Sequence, residues 1–213
     1  MRSRRTRLNN CKLYLILDTQ VCDYERLWVV LQSGVNNGVD IVQLRDKLGT
    51  VQKAHAFIMR AQRYLKGRIP FIVNDRADLA RSAGASGVHV GQDDLSMAAA
   101  RQVCGRSLLV GKSCQTLDHA RAAYREGADY VGFGSVFKTL TKPDRSPMDL
   151  DMLRKVAVFG ARVKLPVFAI GGIKKENVAR LRACGVARIA VCREILLAHD
   201  PARVSRELKT LLI

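Results

Sequence analysis

Apolar residues along this chain form short continuous runs, separated by polar stretches that contain apolar positions at helical spacing. The runs predict strands at residues 13–17, 41–44, 71–73, 88–90, 108–110, 130–133, 167–170 and 189–191. Helical spacing is clearest at residues 51–64, 98–103, 117–126, 150–159, 178–183 and 201–212. Strands that alternate with helices predict a parallel sheet, and near-continuous apolar strands predict a sheet covered on its outer face. We therefore expect an α/β fold, a single-domain (β/α)8 TIM barrel over residues 13–213.

Positive charge is the unusual feature of the composition. The chain carries 36 Lys and Arg against 19 Asp and Glu, a net charge of +17. Arg2, Arg4, Arg5 and Arg7 precede the first strand, so residues 1–12 are predicted to be a basic, disordered arm. A positive electrostatic field of this size attracts polyanions, so nucleic acid has to be considered as a partner. Aromatic residues are only 6% and are not interleaved with basic ones, so a base-stacking surface is not favoured.

Other features of the sequence bear on the compartment. Apolar runs fall short of the roughly 20 residues of a membrane span, and the N-terminus lacks the apolar stretch of a secretory signal. Six cysteines show no C-x-x-C motif and no histidine at zinc spacing, which predicts buried thiols in a reducing compartment. We expect a cytoplasmic protein without a membrane partner. His89, within a predicted strand, is expected to be a satisfied core histidine rather than a catalyst.

Polar residues follow six consecutive predicted strands. They occupy residues 43–47, 74–76, 91–94, 112–113, 139–142 and 171–172, in strand order from the second to the seventh. The carboxyl ends of TIM-barrel strands meet at one mouth, where active sites lie. Each segment alone resembles a common turn or a surface pair. Together they predict a functional site at the mouth.

The charges at these strand ends indicate a diphosphate. Arg45, Lys47 and Lys142 supply cations for phosphate oxygens. Asp75 and Asp94 follow adjacent strands and would repel each other without a cation between them. Mg²⁺ is typically held by one or two carboxylates together with substrate phosphates and water. A diphosphate substrate with Mg²⁺ is therefore the inference, and the alternative is that a carboxylate forms a structural salt bridge with a neighbouring arginine.

The last two strand ends indicate a second phosphate. Gly171 and Gly172 lead toward a predicted helix at Glu176, which would offer backbone N–H groups and a dipole end. Cys192 and Arg193 follow the next strand. This pair of strand ends is the usual phosphate site of TIM barrels, so we expect a monophosphate there.

Six motifs in a fixed order carry a family resemblance. QLRDK, VNDRADLA, GVHVGQDDL, GKS, YVGFGSVFKTLTKPD and FAIGGI occur in that order within residues 13–200. In this combination the chain resembles the thiamine-phosphate synthase family. The resemblance implies a transferase of thiamine biosynthesis that joins 4-amino-2-methyl-5-(diphosphooxymethyl)pyrimidine to a thiazole monophosphate and releases diphosphate. It also implies Mg²⁺-assisted loss of diphosphate, giving a pyrimidine-methyl cation that the thiazole nitrogen captures.

The resemblance implies a role for each candidate residue. The pyrimidine diphosphate would be bound by Gln43, Arg45, Lys47, Asn74, Ser113 and Lys142. The catalytic members of that set would be Arg45, Lys47, Ser113 and Lys142. The thiazole phosphate would be bound by Thr139, Thr141, Gly172, Cys192 and Arg193, and Mg²⁺ by Asp75 and Asp94.

The sequence departs from the family pattern at three places. Lys138 stands where the family usually has proline, Asp46 where it often has glutamate, and Cys192-Arg193 where it often has Ile-Ser. Side-chain details of the thiazole phosphate site therefore stay open. Two other functions also stay open, a thiazole phosphate tautomerase of the same fold and a basic nucleic-acid-binding barrel without catalysis. The expected partners are phosphorylated small molecules, and a homo-oligomer is possible.

Overall fold

Eight parallel strands close a barrel in chain order within the part of the chain that the computed structural model describes, residues 8–141 and 146–213. The strands are β1 (Leu13–Asp18), β2 (Ile41–Arg45), β3 (Phe71–Asn74), β4 (Gly87–Val90), β5 (Leu109–Cys114), β6 (Tyr130–Phe133), β7 (Val167–Ile170) and β8 (Ile189–Val191). Hydrogen bonds between β8 and β1 complete the ring. The predicted (β/α)8 barrel is confirmed.

Helices follow the strands on the outside of the barrel. They are α1 (Tyr24–Val35), α2 (Val51–Leu65), α3 (Ala77–Ser82), α4 (Met97–Cys104), α5 (Leu117–Arg125), α6 (Leu150–Val163), α7 (Val178–Ala183), α8 (Arg193–Leu196) and α9 (Pro201–Thr210). Side-chain caps fix several starts, since Asp23, Thr50 and Ser96 each accept a hydrogen bond from a first-turn N–H. Within the described ranges, none of these helices has the length and apolar character needed to cross a bilayer.

Two apolar layers hold the fold together. One lies between the barrel and its helices, and the other fills the barrel interior. In the interior the rings of Tyr14, Tyr130 and Phe168 pack edge to face, with centroids 5.3–5.9 Å apart. Gly111 makes room for this layer, because a Cβ there would lie 2.2 Å from the Tyr130 ring. The aromatic layer forms a floor beneath the mouth of the barrel.

Residues 8–12 close the bottom of the barrel. Leu8 is fully buried and Cys11 is 5% exposed, and both join the interior cluster. The Arg188 guanidinium donates to the Asn9 carbonyl at 3.0 Å. The prediction of a disordered arm is therefore wrong for residues 8–12, because their apolar side chains cover the lower end of the interior. Residues 1–7 of the predicted arm lie outside the described residues.

The fifth strand is longer at its carboxyl end than its apolar run predicted. Lys112 and Ser113 lie within β5 rather than after it. Lys112 pairs with Val90 on β4, and Ser113 pairs with Gly132 on β6, so both neighbouring strands extend the ladder. Pairing on both sides outweighs the polar character of the two side chains, and Ser113 still lies near the end of the strand.

Candidate active site

A cavity of about 680 Å³ opens at the carboxyl ends of the strands. Most of the predicted site residues line it, namely Gln43, Arg45, Asn74, Ser113, Thr139, Thr141, Gly172, Cys192 and Arg193. Lys47, Asp75 and Asp94 form a charged cluster. Asp75 directly follows Asn74, which lines the cavity. Lys142 lies outside the described residues. The strand ends from β2 to β8 thus converge on one mouth.

The Asp75 and Asp94 side chains are hydrogen-bonded to each other. Burial, and then the Asp94 carboxyl, raise the pKa of Asp75, while contact with the Lys47 ammonium acts in the opposite direction. Burial also tends to raise the pKa of Asp94, but hydrogen bonds from Asp75 and from the Gly91 N–H outweigh it, so the pKa of Asp94 is lowered. The Gly91 N–H lies 2.7 Å from the Asp94 carboxylate. A charge on Asp75 is therefore disfavoured, and Asp94 is the carboxyl of the pair that ionises more readily.

The two carboxyl groups of Asp75 and Asp94 suit a metal ion that takes its other ligands from substrate and water. Among the described residues, no group of three or more His, Cys, Asp or Glu side chains is arranged to hold a metal ion. Two carboxylates alone would leave an octahedral ion short of ligands, so substrate oxygens and water would have to complete its shell.

Asp75 occupies an uncommon backbone conformation. Its φ is +61°, in the left-handed region that most side chains avoid, although Asp and Asn tolerate it better than other residues. Its N–H donates to the His89 carbonyl at 2.8 Å. This hydrogen bond ties the turn after β3 to the neighbouring strand β4 and fixes where the Asp75 carboxylate lies.

The arginines near the mouth have their own carboxylate partners. Arg45 donates to the buried Asp18 at 2.8 Å, and Arg76 pairs with Asp78 at 2.6 Å. Asp75 instead contacts Lys47. The alternative, in which a neighbouring arginine neutralises Asp75, is therefore not what the structure shows.

The β6–β8 side of the mouth is built by close backbone packing. Gly171 and Gly172 have φ values of +105° and +60°, and a Cβ on Gly172 would lie 2.3 Å from the Lys138 carbonyl oxygen. The Phe137 N–H donates to the Gly171 carbonyl at 3.0 Å. A Cβ on Gly171 would likewise lie 2.7 Å from the Ser135 Cα, so the loops after β6 and β7 fit together only because neither glycine has a side chain.

The predicted helix at Glu176 proves to be short. Glu176 lies in a 3-10 turn, Lys175–Asn177, and α7 after it spans only Val178–Ala183. The Asn177 amide donates to the Gly172 carbonyl at 2.9 Å, which fixes the turn against the glycine loop. The helix dipole expected at Glu176 is therefore that of one short turn. Backbone N–H groups are the main donors that the loop after β7 can offer a phosphate.

Sequence reasoning missed the polar connection across the floor of the cavity. Gln43 donates to the Tyr14 hydroxyl at 2.5 Å, which lies 3.0 Å from the Tyr130 hydroxyl. The Tyr130 hydroxyl lies 3.2 Å from His89 Nδ1, and His89 Nε2 lies 3.0 Å from Ser113 Oγ. His89 is thus a satisfied, buried histidine, as expected, but it also lines the cavity. Polar side chains inside otherwise apolar strands were the available signal.

Comparison with known proteins agrees with the geometry. The family model for thiamine monophosphate synthase matches residues 13–195. A thiamine-phosphate synthase of Synechococcus sp. is 41% identical over 208 residues, which are 96% of this chain and 58% of that protein. One from Chloroflexus aurantiacus is 37% identical over 202 residues, which are 94% of this chain and 92% of that protein.

A solved structure gives the same result in three dimensions. Thiamine phosphate pyrophosphorylase from Pyrococcus furiosus superposes with a TM-score of 0.84 at 31% identity, covering 98% of this chain and 96% of that one. This chain therefore spans less than two thirds of the length of the Synechococcus relative, but nearly all of the length of the other two. Because the family model spans most of its residues, the chain belongs to the thiamine monophosphate synthase family.

Proposed function

We propose that this chain is a thiamine-phosphate synthase, a transferase that joins 4-amino-2-methyl-5-(diphosphooxymethyl)pyrimidine to a thiazole monophosphate and releases diphosphate. The observation that carries the proposal is a single cavity with two unlike sides. Cations and a carboxylate pair flank it at β2–β4, whereas glycine loops and hydroxyls line it at β6–β8. A diphosphate with its metal suits the first side, and a monophosphate suits the second.

Asp75 and Asp94 are the residues proposed to hold Mg²⁺. Their contact, together with the pKa of Asp75 that burial and then Asp94 raise, is what a missing counter-charge between two carboxylates would produce. When bound, Mg²⁺ would supply positive charge to the diphosphate oxygens. Lys47, whose ammonium contacts Asp75, would donate to the same group.

The reaction needs charge stabilisation more than proton transfer. The carbon–oxygen bond breaks with its electron pair going to diphosphate, and the lone pair of the thiazole nitrogen forms the new carbon–nitrogen bond. Arg45, Lys47 and Lys142 would stabilise the departing charge, and Gln43, Asn74 and Ser113 would orient the pyrimidine substrate. Because no proton has to leave the thiazole nitrogen, a Ser-His or Cys-His pair acting as nucleophile is not required.

The thiazole phosphate is assigned to the β6–β8 side. Thr139 and Thr141 would donate from their hydroxyls, Gly172 and Cys192 from backbone N–H groups, and Arg193 from its guanidinium. Burial, and then Asp18, raise the pKa of the Cys192 thiol to about 12, so it stays neutral and does not repel the phosphate. Six cysteines that are free thiols also fit a reducing, cytoplasmic compartment.

The test is diphosphate release with both substrates present and with each omitted. The proposal expects release only when both are present, together with formation of thiamine phosphate. Conversion of the thiazole phosphate alone would support the tautomerase instead. Salt-sensitive retention on DNA without turnover would support the nucleic-acid-binding barrel.

Two variants test the assignment of the loop after β6. Lys142→Ala should lower kcat by about 10²-fold, the scale of losing one preorganised donor. Thr141→Ala should instead raise the KM for the thiazole phosphate. Lys155→Ala is a matched control, because Lys155 is an exposed α6 lysine paired with Asp151 and should leave both constants unchanged. A change only in the thiazole KM in Lys142→Ala would contradict the assignment.

A further inference from the structure

A continuous line of hydrogen bonds runs beneath the cavity from Gln43 to Ser113. Its three inner members are Tyr14, Tyr130 and His89, with links of 2.5, 3.0, 3.2 and 3.0 Å in order. The three inner side chains are at most 8% exposed. Ser113 lies at the far end and lines the cavity. The line therefore connects buried hydroxyls to a group that a substrate can touch.

With the Gln43 amide nitrogen facing Tyr14, the hydrogens in this line have one favourable direction. The Gln43 amide nitrogen can only donate, so the Tyr14 oxygen accepts and the Tyr14 hydrogen points to Tyr130. The Tyr130 hydrogen then points to Nδ1 of His89. A neutral histidine that accepts at Nδ1 carries its hydrogen on Nε2, which donates to Ser113 Oγ.

The opposite direction leaves a buried donor without an acceptor. If Ser113 donated to His89 and the order reversed, Tyr130 would donate to Tyr14, which already accepts from Gln43. The Tyr14 hydrogen would then point to neither neighbour, although its side chain is only 2% exposed. A buried donor left in that way is unfavourable, because it loses its hydrogen bond to water and gains none in the protein. The forward direction is therefore favoured.

The surrounding strands are shaped to hold these rings. A Cβ on Gly111 would lie 2.2 Å from the Tyr130 ring, and one on Gly132 would lie 3.3 Å from the His89 ring. Burial raises the pKa of both Tyr14 and Tyr130, so both keep their hydrogens at neutral pH. The Tyr130 and His89 rings each approach a neighbouring strand at a glycine, so the strands leave room for both rings in their hydrogen-bonded positions.

We propose that Tyr14, Tyr130 and His89 are positioning residues that turn the Ser113 hydroxyl into a hydrogen-bond donor directed at the cavity. With His89 donating to Oγ, the serine hydrogen is left for a ligand acceptor. The identity of that acceptor, a diphosphate oxygen or the pyrimidine ring, rests on the proposed function. The direction of the hydrogen bonds does not rest on the proposed function.

Nitrogen-15 NMR of histidine-labelled protein tests the direction without any substrate. The His89 resonances are assigned by their loss in His89→Gln. At a pH where the ring is neutral, we expect hydrogen on Nε2 and an accepting Nδ1, and Tyr130→Phe should shift the balance between the two tautomers. A wild-type ring with hydrogen on Nδ1 would overturn the proposal.

A double-mutant cycle tests whether Tyr130 acts through Ser113. Tyr130→Phe should lower kcat about tenfold in the wild-type background, the scale of one hydrogen bond, and have no further effect in Ser113→Ala. An equal loss in both backgrounds would show a purely structural role and refute the proposal. Tyr64→Phe is the control, because the Tyr64 hydroxyl accepts from Asn36 at the surface.

Substitutions of His89 give a second readout in case Tyr130→Phe folds poorly. His89→Gln keeps an N–H donor near Ser113, whereas His89→Leu removes it, so the glutamine variant should retain several-fold more kcat. Equal activity of the two would count against the proposal. If the wild-type protein releases no diphosphate, the proposed function fails, while the NMR result still decides the direction of the hydrogen bonds.

Discussion

The two ends of the barrel use the same residue types for opposite purposes. At the bottom, the Asp40 carboxylate accepts from the N–H groups of Lys12 and Leu13, at 2.8 and 2.9 Å, and from the Lys209 ammonium. At the mouth, the Asp75 carboxyl meets one ammonium, Lys47, and also a second carboxyl, Asp94, which helps burial to raise the pKa of Asp75. The lower charge is fully compensated within the chain, and the upper one is not.

This difference indicates what each end does. A carboxylate with three donors joins the segment before β1 to α9 and stabilises the closed barrel. A carboxyl such as Asp75, whose pKa is raised by burial and then by a second carboxyl, costs stability when it ionises, and such a cost is expected where a ligand supplies the missing charge. In TIM barrels, polar residues at the bottom serve stability and those at the top serve chemistry. Substitutions at the two ends should therefore separate stability from turnover.

Asp75→Asn should give the largest loss of activity. Asparagine tolerates the left-handed backbone at this position, so the variant removes charge without the strain that alanine would add. We expect diphosphate release to fall by about 10²–10³-fold, because a charge that is proposed to hold Mg²⁺ beside the diphosphate is gone. Steady-state kinetics across Mg²⁺ concentrations is the measurement.

The control for that variant is Asp78→Asn, which removes an exposed carboxylate paired with Arg76. It should leave turnover unchanged. Full activity of Asp75→Asn in the presence of a chelator would refute the metal assignment.

Asp40→Ala should be the largest stability change of the set. It leaves two backbone N–H groups and the Lys209 ammonium without their acceptor, which costs about 2–3 kcal/mol in the free energy of unfolding. Because Asp40 lies at the opposite end from the cavity, kcat should be unchanged well below the melting temperature. Urea unfolding and kinetics on one preparation measure both. A stable protein with reduced kcat would break the comparison.

Gly172→Ala should have an intermediate effect that falls on one substrate. Its Cβ would meet the Lys138 carbonyl, so the loop after β6 must shift and the KM for the thiazole phosphate should rise about tenfold. Gly185→Ala shares the positive φ but meets nothing within 4 Å, so it isolates the conformational cost, about 1 kcal/mol of stability. Equal KM values in the two variants would remove the thiazole phosphate from this loop.

The sequence predicted the barrel well because its signal is local. Apolar strands such as residues 167–170 and the helical spacing of residues 51–64 each report burial of one element. The carboxyl pair was also predictable, since adjacent parallel strands bring their ends together. The carboxyl end of β5 was not, because Lys112 and Ser113 are polar and their pairing depends on two distant strands.

Two features were beyond local reasoning for a physical reason. Leu8 looked like part of a charged arm, and only the closed barrel creates the apolar space that buries it. The line from Gln43 to Ser113 joins side chains that are 70 positions apart in the sequence, so no spacing rule could connect them. Fold class follows from periodicity, whereas interior polar contacts follow from how the strands pair.

The smallest expected effect is a pH-dependent difference in melting temperature between two substitutions of the same pair. The pKa of Asp75 is raised in the folded protein, by burial first and then by Asp94. Its contribution to stability is therefore fully present below the ordinary carboxyl pKa of about 4 and is lost as pH rises through the raised value. In chelator-treated protein, Asp75→Asn should gain in melting temperature relative to wild type over that window and then level off.

Asp94→Asn should show the opposite trend. The pKa of Asp94 is lowered, because the hydrogen bonds from Asp75 and Gly91 outweigh burial, so its contribution is present above the ordinary pKa and lost as pH falls. Relative to wild type, this variant should therefore lose melting temperature as pH rises through the lowered and then the ordinary value. For a chain of this size, 1 kcal/mol corresponds to about 2–4 °C, so shifts of a few degrees are expected. Parallel pH profiles for the two variants would mean that the pKa values of the two carboxyls are not shifted in opposite directions. Scanning fluorimetry with and without Mg²⁺ makes the measurement.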